Sequence, residues 1–106
     1  MQYRIEPITG EEDLPGVLEV DRESFSNPWT REMYSSELQN TSTSHLYVVR
    51  TDQWAIAGFC AFWIVSGEIH INNIALRPEL RGQGIGAALL RHVLEEGRKM
   101  GARRAT

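Results

Sequence analysis

Apolar and polar residues alternate at the start of the chain, where Tyr3 and Ile5 are interleaved with Gln2, Arg4 and Glu6. A period of two marks a strand with one buried face, predicted over Gln2 to Pro7. The period then lengthens. Thr9 and Glu12 have the spacing of a capping box, Pro15 suits a first turn, and Leu14, Val17 and Leu18 form a helical stripe, so a helix is predicted from about Glu11 to Ser24. Ser26-Asn27-Pro28-Trp29 reads as a turn, after which Thr30 caps a short helix carrying Met33, Tyr34 and Leu38. Asn40 to Ser44 is polar linker.

His45 to Thr51 and Trp54 to Val65 are rich in β-branched and aromatic residues, and Thr51-Asp52-Gln53 between them suits a hairpin turn. Ser66-Gly67 turns into a further strand, Glu68 to Leu76, completing a three-stranded meander. Within that strand the parity breaks: Ile69 and Ile71 share one face, whereas Ile74 and Leu76 fall on the other. An extra residue at Asn72-Asn73, a β-bulge, restores the match; burial of both faces is the alternative. From Gly84 onward the helical period returns, with Ile85, Ala88, Leu89, Val93 and Met100 on one stripe, Arg98 and Lys99 near the end, and Gly101 placed to stop the helix. The predicted order is β-α-α-β-β-β-α, followed by the start of another strand.

With 106 residues, 42% of them apolar, the chain holds one domain with one core. Its formal charge of -3 offers no electrostatic footprint for nucleic acid or an anionic membrane, so any bound anion must be gripped locally. A single cysteine, Cys60, excludes an internal disulfide framework and fits a reducing compartment. No signal-peptide pattern opens the chain, and no apolar run reaches the roughly 18 residues of a membrane span. A soluble, cytoplasmic protein is expected.

The stretch Arg77-Pro78-Glu79-Leu80-Arg81-Gly82-Gln83-Gly84-Ile85-Gly86-Ala87-Ala88 joins a strand end to a helix start through three alternating glycines. Glycines let backbone amides approach a ligand, and the amides of a helix N-terminus point one way along a favourable dipole. That is a phosphate site, to which Arg81 adds charge; a ligand-free glycine-rich turn is the plain alternative. The P-loop pattern is absent. A dinucleotide fingerprint is literally met by Gly82, Gly84 and Ala87, but a meander precedes it and no acidic residue follows Glu96, which makes a dinucleotide-binding module the weaker reading.

These residues resemble the GNAT superfamily of N-acetyltransferases, whose signature [RQ]-x-x-G-x-[GA] is matched by Arg81, Gly84 and Gly86. Asn73-Ile74-Ala75-Leu76 with Arg77-Pro78 looks like the family's fourth strand, and Asn27-Pro28-Trp29-Thr30 looks closest to the RimI-like bacterial ribosomal-protein N-terminal acetyltransferases. The resemblance implies an α+β fold with a mixed sheet between helices, and acetyl-CoA as cofactor. Ile74, Ala75 and Leu76 would pair with the pantetheine arm, while Arg81, Gly82, Gln83, Gly84, Ile85, Gly86 and Ala87 would hold the pyrophosphate. It also implies that the domain, spanning residues 1–106, is incomplete. Family members continue with a full fifth strand, a fourth helix and a hairpin, where the RimI-like group carries a glutamate base and a tyrosine acid. The missing part would be cut away or supplied by another chain, and the exposed edge of Glu68 to Leu76 would favour a homodimer.

Acetyl transfer needs a neutral amine near the thioester carbon, an oxyanion donor and a proton acceptor. An α-amine asks little of a base, whereas deprotonating lysine at neutral pH costs roughly 4 kcal/mol. His70, one step before the bulge, occupies a position resembling the general-base site of some relatives, with Glu68 as a base acting through water. An ordinary strand histidine and a solvated strand-end carboxylate are the alternatives. Cys60 lies inside an apolar strand and reads as packing; His45 and His92 lack metal-ligand spacing, and no metal site is expected. Phe25, Trp29 and Tyr34 fall where the family admits its acceptor, with core packing the alternative. The acceptor would be a protein N-terminus, such as that of a ribosomal protein, or a small amine. A coenzyme A-binding fragment without turnover is the competing reading.

Overall fold

Alternation at the N-terminus places Tyr3–Pro7 as strand β1, antiparallel to β2 (Ser44–Thr51) with Ile5 opposite Val49. The computed structural model describes residues 2–106. Strands β2, β3 (Gly58–Val65) and β4 (Glu68–Leu76) form the expected antiparallel meander, and a two-residue β5 (Arg104–Ala105) joins the far edge in parallel. The sheet order is β1-β2-β3-β4-β5. Helices α1 (Leu14–Ser24) and α2 (Arg31–Gln39) cover one face through Leu14, Val17, Val20 and Tyr34, which meet Leu46, Val48, Phe59 and Ala61. Helix α3 (Ile85–Lys99) covers the other through Ile85, Leu89 and Val93, which meet Val49, Cys60, Phe62 and Ile69. This is the α+β arrangement with a mixed sheet between helical layers.

The bulge is present. Ala61 faces Asn73 and Phe62 faces Ile71, so Asn72 is the extra residue. In consequence Ile69, Ile71, Ile74 and Leu76 all pack on the α3 side. The Ser66-Gly67 turn has both residues at positive φ, 51° and 78°, the twist that suits a two-residue hairpin. Gly101, at φ 102°, closes α3 with paired bonds from the amides of Ala102 to the Gly97 carbonyl and of Gly101 to that of Arg98, both 3.0 Å.

Several expectations need correction. Thr9 does not cap through Glu12: its amide and hydroxyl both bond the Asp13 carboxylate, at 3.1 and 2.8 Å, and Glu11–Asp13 forms a 3₁₀ turn before α1. Asp13 wins because it also anchors Arg50. The third strand starts at Gly58 rather than Trp54, and residues 52–57 form a longer connection than a tight turn. Here the Ile56 carbonyl accepts from Arg77 Nε at 2.9 Å, and the Arg77 guanidinium lies 5.2 Å from the Trp54 ring centre. Met100 leaves the α3 stripe for the exposed helix end, and Gly97 takes the buried position. The β4 edge is not wholly open, since β5 and Thr106 cover it from Glu68 to Ile71. An antiparallel meander ahead of the glycines also departs from the parallel βαβ unit of a dinucleotide site.

Candidate functional site

Past the bulge, β4 runs without a partner on its outer edge and ends against a 3₁₀ turn, Pro78–Leu80, whose Leu80 is buried in the α3-side core. Leu80 and Ile85 anchor the two ends of the glycine loop, and the loop between them stands exposed. Gly82 and Gly84 adopt φ of 79° and 84°, and a Cβ at either would meet nothing within 4 Å. The chain folds this way because only glycine takes the left-handed region without strain. Among the described residues the amides of Gly82 through Ala87 have no acceptor, and the first bond into α3 is from the Ala88 amide to the Gly84 carbonyl at 3.1 Å. Six free donors at the positive end of a fifteen-residue helix form an anion cradle.

Beside the cradle is a cleft of about 390 Å³, lined by Ser24, Phe25, Ile74, Ala75, Leu76, Arg81 and Gly86. The structure thus brings Ile74, Ala75, Leu76, Arg81 and Gly86 together. Gly82, Gln83, Gly84 and Ala87 lie on the exposed rim or first turn, and Ile85 turns its side chain into the core so that only its amide faces outward. Arg81 spans the cleft: Nε donates to the Leu76 carbonyl at 3.2 Å and a terminal nitrogen to Ser24 Oγ at 3.3 Å. Since the Leu76 carbonyl points to the open edge, the backbone groups of Ile74, two residues earlier, point there too. Gln83 turns back to donate to the Glu79 carbonyl at 3.2 Å, leaving its own amide as its contribution to the cradle. A groove of similar volume, about 400 Å³, is lined by Pro7, His45 and Met100 among others and includes none of the glycine-loop residues.

Ser24 was not singled out in the sequence, and Phe25 was read only as a possible acceptor contact; both owe their place to the C-terminal end of α1, which lies across β4. Tyr34 is fully buried, so the core alternative holds for it. Cys60 is buried, and burial pushes its thiol up to about 12, which makes it inert. His45 stacks on Phe62 with ring centres 5.3 Å apart, and burial lowers its affinity for a proton.

Glu68 and His70 occupy the opposite end of β4, roughly 10 Å or more along the strand from the cleft. They meet each other: His70 Nε2 lies 3.4 Å from Glu68 Oε1, and Nδ1 is 3.1 Å from Thr106 Oγ1. Glu68 also pairs with Arg104 at 2.9 Å. Among the described residues no three His, Cys, Asp or Glu side chains converge as metal ligands. Among the described residues no helix is long and apolar enough to cross a membrane.

A candidate ribosomal protein bS18-alanine N-acetyltransferase of Bacillus subtilis (strain 168) is 39% identical over 93 residues, 88% of this chain and 61% of its own. The ribosomal protein bS18-alanine N-acetyltransferase of Escherichia coli (strain K12) is 30% identical over 89 residues, 84% of this chain and 58% of its own. The chain therefore spans about three fifths of the length of these relatives. Among solved structures, the ribosomal-protein-S18-alanine N-acetyltransferase of Escherichia coli superposes with a TM-score of 0.81 at 26% identity, over 95% of this chain and 63% of that one. The PaiA N-acetyltransferase of Thermoplasma acidophilum, solved with coenzyme A, gives 0.84 at 21% identity over 95% and 75%, a likeness of fold. The sequence model of the acetyltransferase (GNAT) family matches residues 14–106, and with the bulged fourth strand and the glycine loop in place the chain belongs to that family.

Proposed function

We propose that residues 1–106 are the acetyl-CoA-binding part of a single, incomplete N-acetyltransferase domain whose acceptor is the α-amine of a protein N-terminus. The observation that carries this reading is the run of six unpartnered amides, Gly82 to Ala87, opening α3 beside an unpaired strand edge. The residues fit the ligand: two left-handed glycines with open space around them suit a diphosphate, and the edge at Ile74 and Leu76 suits the amides of a pantetheine arm. Acetyl-CoA supplies a thioester whose acetyl carbon bonds the amine nitrogen as the carbon–sulfur bond breaks, the amine proton leaving and coenzyme A departing as free thiol.

For that ligand, Arg81 adds positive charge to the cradle, exchanging its Leu76 and Ser24 contacts for the diphosphate. Phe25 walls the cleft opposite Ile74 to Leu76. His70 is proposed as proton acceptor, with Glu68, 3.4 Å from it, as the alternative base acting through water. An α-amine asks less of either base than lysine does. The relatives named for alanine of ribosomal protein bS18 support a protein acceptor, and such a partner supports a cytoplasmic setting. The unpaired half of the β4 edge supports self-association when no ligand occupies it.

Calorimetric titration with coenzyme A, followed by amide shift mapping, tests the site: binding should move Ile74 to Leu76 and Arg81 to Ala87. Preference for NAD, or shifts elsewhere, would overturn it. Transfer of labelled acetyl to an Ala-initiated peptide then separates an enzyme from a coenzyme A-binding fragment without turnover.

A further inference from the structure

Three polar side chains from three elements meet in the apolar layer between the sheet and helices α1 and α2. Asp21 of α1 is 1% exposed and Tyr34 of α2 is 0% exposed. The Tyr34 hydroxyl donates to Asp21 Oδ2 at 2.6 Å, and Asn73 Nδ2 donates to the same phenol oxygen at 3.2 Å. The backbone amide of Trp29 also donates to Asp21 Oδ2, at 3.2 Å, while the buried Oδ1 has no partner among the described residues.

Packing alone does not account for this choice of side chains. The Tyr34 ring stands edge-on to Phe59 with centres 5.9 Å apart, a contact that phenylalanine makes equally well. A buried, half-satisfied carboxylate costs stability compared with an apolar residue. What the polar groups add is connection. Trp29 belongs to the segment Phe25–Thr30, whose first residue walls the cleft, and Asn73 adjoins the extra residue of the bulge. Burial and the Asp21 carboxylate push the Tyr34 phenol above its ordinary value, so it stays a donor at any working pH.

We propose that Asp21 and Tyr34 are positioning residues that lock the Phe25–Thr30 segment to the β4 bulge, so that one wall of the cleft and the opening of the strand are set together. The role in turnover rests on the acetyl-CoA reading above; the mechanical coupling does not. Both donors use Oδ2, so Asp21→Asn keeps an oxygen for both while removing the charge and placing an amide nitrogen at the buried Oδ1 position, whereas Asp21→Ala removes the acceptor and Tyr34→Phe removes the phenol bonds while keeping the ring.

Amide hydrogen exchange on the unliganded full chain is the deciding measurement. Tyr34→Phe and Asp21→Ala should each speed exchange in both Phe25–Thr30 and Asn72–Asn73 by roughly ten- to a hundredfold, with α3 and the β1–β2 ladder nearly unchanged, and Asp21→Asn should recover part of the slow pattern. In acetyl transfer to an Ala-initiated peptide, the first two variants should lower kcat while the affinity for coenzyme A, set at the distant α3 cradle, changes little. A uniform rise in exchange across the sheet, or a change confined to one of the two segments, would overturn the coupling. Failure of the unaltered chain to bind coenzyme A would sink the acetyl-CoA reading alone, and the exchange pattern would still decide the coupling.

Discussion

Arg50 grips Asp13 with both terminal nitrogens or their equivalents: Nη1 to Oδ1 at 3.1 Å and Nη2 to Oδ2 at 2.9 Å, with the side chains 12% and 9% exposed. The Arg50 guanidinium, helped by the Thr9 hydroxyl and amide, holds the Asp13 carboxyl at about 2, against 3.8 ordinarily. A depressed folded value means that the stabilisation is full above the unfolded value and fades as pH falls from about 4 through about 2. Together the Arg50 and Thr9 contacts to this carboxylate are worth about 2 kcal/mol at neutral pH. Urea melts should show Asp13→Asn weaker than the parent by about that amount at pH 7, with the gap reduced to about a third at pH 2.5.

Gly97 faces Ile69 across the α3–β4 interface, and a Cβ there would lie 2.9 Å from Ile69 Cγ1 and closer still to Cδ1. Gly97→Ala ordinarily gains about 1 kcal/mol inside a helix, but overpacking a filled core costs about 1–3 kcal/mol. The second effect wins because Ile69 is 3% exposed and has nowhere to swing. Thermal unfolding should fall by roughly 5 °C.

Gly84→Ala separates conformational strain from ligand contact. At φ 84° an alanine costs about 1–2 kcal/mol of stability even in open space. Its methyl also enters the cradle, so affinity for coenzyme A should fall by tenfold or more, about 1.4 kcal/mol, beyond what a stability-matched variant outside the loop loses.

Cys60, at 0% exposure and with its thiol pushed up to about 12, should resist iodoacetamide and Ellman's reagent in the folded chain and react fully in denaturant. Rapid labelling under native conditions would contradict the packed strand.

What the sequence revealed and what it hid follow one physical division. Thr30 and Gly101 end helices through bonds to residues a few positions away, so their roles were legible. The bulge was legible as a parity break because the side-chain period of a strand is two. Trp54 and Ile56 have strand-like composition but are held by the Arg77 side chain, twenty or so residues downstream, which the local sequence does not show. Likewise the spacing of Thr9 and Glu12 suits a capping box, but Arg50, thirty-seven residues on from Asp13, makes Asp13 the partner of Thr9. The glycine cradle could be read from composition and order, but not Ser24 as a cleft residue, since its position depends on how α1 crosses β4. The Asp21–Tyr34–Asn73 cluster left no signal at all, being spread over three elements.

The strand order has a kinetic meaning. Two of the four pairings, β2 with β3 and β3 with β4, join strands that follow one another directly and cost little loop entropy, whereas two helices intervene between β1 and β2 and α3 intervenes between β4 and β5. The hairpin at Ser66-Gly67 is the cheapest of these, and it carries the bulge within it. The irregularity that opens the ligand edge is thereby written into the earliest unit able to assemble, before α3 arrives to supply the amides that use it.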